Sequence, residues 1–343
     1  MSTYKVAVFT GEKTIEFKEL ELKKPLGTQA LVKIDSCALC TLEQRVYNGV
    51  MRYYPFAGGH EFAGTVCEIG DKVVHLKPGD HVTARILTNC GSCYYCRNGH
   101  ENQCVISFQA SLHEGINGPG GLSEYILMDE SLLYKMANDI NLSYAALTEP
   151  LACCVHSISQ GNIELGDDVA VIGVGIMGAF HIKLAKLRGA RVIAIELDPE
   201  RLEIAKEMGA DVLVDAGKCN SVEKVIELTE GRGANVVFCT VANPQSAAEA
   251  IAMAGKLGRV VLYSSFHPKL PIELDVNHVH YSEMIITGSV NPKIKDFYVA
   301  SKLLSTGIVN PARLISEEVP FENIDYALQR AIDPETYRVI VKI

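Results

Sequence analysis

The sequence has no apolar run approaching the roughly 18 residues that a membrane helix requires. It opens Met-Ser-Thr-Tyr-Lys and passes directly into a strand-like stretch, Val6 to Phe9, with no signal-peptide core. It has no cluster of Lys and Arg, and a net charge of −9 argues against nucleic acid as a partner. No internal repeat, low-complexity tract or heptad seam supports an extended architecture. These absences predict a soluble, cytoplasmic protein with neither a membrane nor a nucleic-acid partner, its acidic balance serving solubility.

What is present is a chain of 343 residues, 48% hydrophobic and 21% charged, long enough for two cores. Its texture changes once. Short β-rich segments broken by Gly and Pro come first, at Ala30 to Ile34, Gly64 to Ile69, His81 to Ile86 and Ser123 to Met128. After about Leu165, apolar strands alternate with helical patterns: Val169 to Ile172, Ile182 to Lys186, Val192 to Ile195, and on through Val212 to Val214, Val222 to Leu228, Val236 to Cys239, Ala247 to Met253 and Arg259 to Leu262. That alternation predicts a parallel sheet covered by helices. The proline-punctuated tail from about Ser289 ends in a strand-like run, Arg338 to Ile343, and is expected to return to the first domain.

Eleven cysteines in this setting argue for thiols and metal ligands over a disulfide framework. Four of them, Cys90, Cys93, Cys96 and Cys104, have the spacing of a structural zinc site, in which one tight loop presents three thiolates and a fourth folds back to close the tetrahedron. Such a site holds a loop in shape and leaves no position for substrate.

Gly173-Val-Gly175-Ile176-Met177-Gly178 follows a predicted strand and opens a predicted helix, the context that makes a glycine pattern a dinucleotide-binding signature. Gly173 permits the turn, Gly175 lets the backbone approach a pyrophosphate, and Gly178 allows close helix packing. Glu196 ends the next strand. A carboxylate there accepts ribose hydroxyls and repels an extra phosphate, so NAD is expected over NADP; Arg201 is a candidate contact for the adenosine end.

A second metal candidate is scattered: Cys40, the pair His60-Glu61, and Glu149 before Pro150. Three protein ligands and one open position are what zinc catalysis requires, and an open zinc brings a substrate alkoxide within reach of neutral pH.

Taken in order, these pieces resemble the zinc-dependent medium-chain dehydrogenases, near the sorbitol (polyol) and threonine dehydrogenase branch. The resemblance covers nearly the whole chain: Cys37-Ala-Leu-Cys40, Gly59-His60-Glu61 with Gly64 and Gly70, Lys77-Pro-Gly-Asp-His-Val82, the four-cysteine lobe, Gly120-Gly121-Leu-Ser-Glu-Tyr125, Glu149-Pro150-Leu151, and Gly173 to Gly178. It implies a mostly β GroES-like catalytic domain at 1–152 and 286–343, an α/β Rossmann NAD-binding domain at 153–285, an active site between them, two zinc ions per subunit (one catalytic, one structural), and homotetramers or homodimers. It makes Cys40 and His60 catalytic zinc ligands, with Glu61 and Glu149 competing for the third place.

One departure bears on mechanism. Relatives generally carry Ser or Thr two residues after the first zinc ligand to take the substrate proton, and here that residue is Leu42. Thr41, Glu43, a ligand carboxylate or a water is left to do so, and the polar run Glu43-Gln44-Arg45 is a candidate surface for an oxygen-rich substrate. The expected activity is reversible oxidation of a secondary alcohol (a polyol, sugar or inositol derivative) by NAD. L-Threonine or a simple alcohol is the alternative substrate. An epimerase or lyase cycle with retained NAD, or a recruited non-enzymatic role, is the alternative class.

Overall fold

The computed structural model describes residues 2–107, 111–113 and 115–343. The chain forms two compact units, Met1–Ala152 with Lys293–Ile343, and Cys153–Pro292.

The first unit is built on Gln29–Ala38, the central strand of a seven-stranded sheet. Glu61–Ile69 runs antiparallel along one edge of it. The other edge is shared: Tyr125–Asp129 pairs with its first half and Arg338–Lys342 with Ser36 to Ala38. Register shifts at Leu31/Val32 and Ile34/Ser36 mark bulges, which bend a strand and let its two halves meet different neighbours. The approach to Glu61–Ile69 is close enough that a Cβ on Gly64 would lie 2.2 Å from the Lys33 carbonyl oxygen, so this position needs glycine. Phe9, Ile34, Phe62, Leu122, Leu328 and Val339 share its core, so the tail is packed into the first unit. The helix Ile294–Ser305 is anchored where the tail re-enters, with its Ile294 N–H donated to Glu101 at 2.8 Å and Phe297 against Tyr134.

The second unit is a six-stranded, wholly parallel sheet in the order Val212–Asp215, Arg191–Glu196, Asp168–Ile172, Ala234–Cys239, Ala254–Leu262, Ile285–Gly288. This is the doubly wound order, and the crevice forms at the carboxyl end of Asp168–Ile172, where the strand order reverses. Every residue of that strand is buried, as a sheet covered on both faces demands. Ile285–Gly288 continues the parallel ladder beside Arg259 to Leu262, and the second unit runs on to Pro292. Among the described residues no helix is long and apolar enough to cross a membrane.

Within this unit His181 is fully buried on the helix Ile176–Leu187. Its Nδ1 donates to the Met177 carbonyl at 2.7 Å, so Nε2 accepts from the Ser157 hydroxyl, also at 2.7 Å. Burial lowers its pKa to about 4, with the Met177 carbonyl opposing the shift. The unfolded chain therefore takes up a proton near pH 6.5 that the folded protein refuses until about 4. Stability attributable to this residue is complete above pH 6.5 and falls as pH drops toward 4, by at most about 1.4 kcal/mol per pH unit. Urea denaturation from pH 7.5 to 4.5 is expected to show a steeper acid loss for the native protein than for His181→Gln. Parallel curves would refute the neutral buried imidazole.

Candidate active site

Cys40 is the N-cap of the helix Thr41–Tyr47, and its backbone N–H is donated to the Glu43 carboxylate at 3.2 Å, closing the first turn. Glu43 has no exposed surface. Its other oxygen accepts the Gly59 N–H at 2.9 Å and the His60 Nδ1–H at 2.9 Å. Burial opposes ionisation of Glu43, but His60 beside it and the Gly59 N–H outweigh burial and hold its pKa below the usual carboxylate range. Spending Nδ1–H on a carboxylate fixes the tautomer and leaves the Nε2 lone pair for a metal.

The loop that delivers His60 depends on glycine. Gly59 has φ +92°, and a Cβ there would lie 2.4 Å from the Leu122 amide nitrogen, while one on Gly121 would lie 2.3 Å from the Gly59 carbonyl oxygen. The Gly120-Gly121 motif is thus the floor on which the His60 turn rests.

Two overlapping groups of ligand atoms meet at His60. Cys40, Glu43 and His60 lie within 4.8 Å of one another, as do His60, Glu61 and Glu149. Zinc bonds of ~2.0–2.3 Å place tetrahedral donors roughly 3.3–3.8 Å apart. The two groups share His60 and between them supply sulfur, nitrogen and oxygen donors of the kinds that zinc takes. Glu61 is fully buried and held by Arg338, Nε to Oε2 at 3.0 Å and Nη2 to Oε1 at 2.5 Å. Burial penalises the Arg338 guanidinium, yet Glu61, with Cys40 and Glu149, raises its pKa. Glu149 is half-buried in the first turn of the helix Thr148–Gly161.

Two expectations are corrected here. Glu43 is no proton relay, because it is sealed from solvent and its oxygens accept the three N–H groups just described. The run Glu43-Gln44-Arg45 is not a polar surface for substrate, because Gln44 also turns inward and donates to the Ala331 carbonyl at 2.8 Å. Arg201 reaches the glycine turn, its Nη1 lying 3.8 Å from where a Gly175 Cβ would stand. Thr41 is exposed at the start of its helix. Sequence reasoning missed Arg338; the available signal was a charged residue set directly before the apolar run Val339 to Val341 of the terminal strand.

The four-cysteine lobe gathers as its spacing predicts. Its sulfurs lie within 4.8 Å of one another, and Cys93 and Cys104 are 4.0 Å apart, close to the roughly 3.8 Å between thiolates on zinc. Cys93 N–H donates to the Cys90 sulfur and Cys90 N–H to the Cys104 sulfur, bonds that favour thiolates. Hydrogen bonds from Ser92, then from Cys93 N–H, lower Cys90 to about 6.

In the second unit Gly173 has φ +86°, and Gly175 caps the helix Ile176–Leu187, whose first residues are Ile176 and Met177. A Cβ on Gly178 would stand 1.8 Å from the Gly173 carbonyl oxygen, so no other residue lets the helix pack this tightly on the turn. Glu196 is pinned: Oε2 accepts Val174 N–H and Oε1 accepts Leu197 N–H, each at 2.7 Å. It faces a cavity of about 480 Å³ at the switch point, bordered also by Gly173, Asn243 and Glu249.

A dinucleotide turn on a doubly wound sheet, with a buried cluster of zinc-type donors elsewhere in the chain, defines a metal-dependent oxidoreductase that uses a nicotinamide cofactor. Comparison with known proteins agrees. The zinc-binding dehydrogenase family matches residues 173–306, and the alcohol dehydrogenase GroES-like domain matches 27–138. The chain is 32% identical to a sorbitol dehydrogenase of Halalkalibacterium halodurans, covering 91% of each chain. It is 28% identical to a D-arabitol-phosphate dehydrogenase of Enterococcus avium, covering 97% of this chain and 95% of that one. A solved zinc-binding dehydrogenase of Sinorhizobium meliloti, bound to NADP, superposes with a TM-score of 0.91 at 25% identity, covering 100% of both chains. The chain belongs to the zinc-dependent medium-chain dehydrogenase family, with a GroES-like unit and a Rossmann unit.

Glu43→Gln is expected to weaken zinc affinity about 10- to 100-fold, because an amide cannot match the carboxylate that orients His60. Competition with a chromogenic chelator measures this. Unchanged zinc retention would show that Glu43 does not set the His60 donor.

Proposed function

We propose that this enzyme reversibly oxidises a secondary alcohol bearing further hydroxyl groups (a polyol, sugar or inositol derivative) to its ketone, with NAD as acceptor. The observation that carries this reading is the buried cluster on His60, where Cys40, Glu61 and Glu149 converge on an imidazole already oriented by Glu43. The polyhydroxy substrate is supported by the sorbitol and arabitol-phosphate dehydrogenases with which the chain shares nearly its full length.

When bound, zinc supplies Lewis acidity toward a substrate oxygen and the dinucleotide accepts the hydride. The protein's own part is positional. Cys40, His60 and Glu149 are the proposed protein ligands, with Glu61 held back by its two bonds to Arg338. Arg338 keeps the anionic donors from repelling one another and offsets the cost of burying them. With leucine at position 42 and Glu43 sealed, the proton from the alcohol leaves through Thr41, a ligand carboxylate or water. Gly173, Gly175 and Gly178 shape the pyrophosphate turn, Ile176 and Met177 open the helix whose N-terminus faces it, and Arg201 flanks it. One similar structure carries NADP, so the case for NAD rests on this chain's own cleft, where the Glu196 carboxylate is pinned by backbone N–H groups and would face a 2′-phosphate.

The proposal extends to a cytoplasmic homodimer or homotetramer. Thiols at the exposed Cys67 and Cys219 suit a reducing compartment. Exposed Val276, Tyr281 and Ile285 on the Rossmann unit suit association between copies, and a monomeric mass by light scattering would refute it.

An NADH-absorbance screen over simple alcohols, polyols, inositols and amino-alcohols is expected to give stoichiometric NADH with a polyhydroxy substrate, and none after zinc is fully stripped by a chelator. NADH formation by the stripped protein would overturn the mechanism, and activity confined to L-threonine would overturn the substrate class. Glu149→Ala is expected to lose catalytic zinc more readily than Glu61→Ala. The reverse order would exchange their roles.

A further inference from the structure

The cleft beside Gly173 is walled by two carboxylates that arrive from opposite sides of the switch point. Glu196 ends the strand Arg191–Glu196, which pairs with one edge of Asp168–Ile172. Glu249 lies on the helix Pro244–Met253, which follows Ala234–Cys239, the strand on the other edge. Both border the same cavity of about 480 Å³, and among the described residues bordering it there is no Lys or Arg. Of the nearby cations, Arg201 flanks Gly175 at the turn with Asp198 at 3.8 Å, and Lys218 pairs with Asp215 at 2.6 Å.

We infer that Glu249 is a second determinant of cofactor choice, acting with Glu196 to exclude the 2′-phosphate of NADP from the adenosine cleft. The inference rests on the reading of this cleft as the site for NAD. Glu249 is half-buried, and Gln245 Nε2, one helical turn earlier, donates to its Oε1 at 2.9 Å and holds the carboxylate in place. Its field reaches the end of the neighbouring strand: burial raises the Cys239 thiol to about 11, with a backbone hydrogen bond at Val241 opposing the rise and Glu249 adding to it. A cavity of this size is on the order of 10 Å across, about one Debye length at physiological salt, so both charges act on any anion inside it. The ribose hydroxyls of NAD are neutral and gain acceptors, whereas a phosphate carrying nearly two negative charges meets two like charges and no bordering cation. A substitution at Glu196 alone would leave the Glu249 charge standing on the other wall.

The test is calorimetric binding of ADP-ribose and 2′-phospho-ADP-ribose to the zinc-loaded protein, which needs no turnover. The native protein is expected to prefer ADP-ribose. Glu249→Gln keeps the size of the side chain and is expected to tighten 2′-phospho-ADP-ribose about three- to tenfold at low salt, with little change toward ADP-ribose. The gain should shrink as salt is raised. Glu196→Gln with Glu249→Gln should exceed either change alone. Glu164→Gln, an exposed residue before the first Rossmann strand, makes the same change in net charge far along the chain from the cleft and should move neither affinity. If the native protein prefers ADP-ribose but Glu249→Gln leaves both affinities unchanged, or raises them no more than Glu164→Gln does, Glu249 has no such role and the NAD reading stands. If the native protein binds the phosphorylated probe equally well or better, the NAD reading falls, and this inference falls with it.

Discussion

The Glu43 carboxylate, with no surface of its own, ties together three pieces of chain: the backbone of Cys40, the backbone of Gly59 and the ring of His60. The first of these bonds sets the helix turn on which the sulfur donor sits. The second holds the left-handed glycine that delivers the imidazole, and the third selects the imidazole tautomer. A side chain that looked like a participant in proton transfer is instead the fixed point from which the donor geometry is measured. Burying such a charge is tolerable because every partner is an N–H donor, one of them on a ring that can carry positive charge.

Around that point the protein must store several anionic groups close together, and its solution is a buried cation. Arg338 opens the last strand of the chain and grips Glu61 with two bonds. The tail is therefore more than a closing strand of the sheet, since its first residue balances donors contributed by the opening half of the chain. The same logic, reversed in sign, runs through the Rossmann unit, where charges of one kind are left unbalanced on the walls of a cleft meant for a ligand that carries its own phosphates at the turn.

Much of this was legible in the sequence, and what was not legible has physical reasons. The four-cysteine spacing and the Gly173 turn are local, so distance along the chain carries the geometry, and both form as their spacing predicts. The parallel strands of the Rossmann unit were visible as short, continuously apolar runs, as strands covered on both faces must be. The Glu43–His60 contact was not, because it depends on Gly59 and Gly121 packing backbone against backbone, a long-range fact that neither motif announces. The Arg338–Glu61 pair spans 277 positions. Ile285–Gly288 was not legible as a strand of this sheet, because it is an edge strand with no fully buried residue and its membership rests on backbone pairing that composition does not reveal.

Cys40, His60, Glu61 and Glu149 all lie within one compact unit, Met1–Ala152, while the glycine turn, Glu196 and the cleft beside them lie within Cys153–Pro292. Charging the protein with its ion and charging it with its nucleotide are thus separate transactions on separate stretches of polypeptide. No residue of the donor set belongs to the unit that carries the adenosine cleft, and no residue bordering that cleft belongs to the unit that carries the donors.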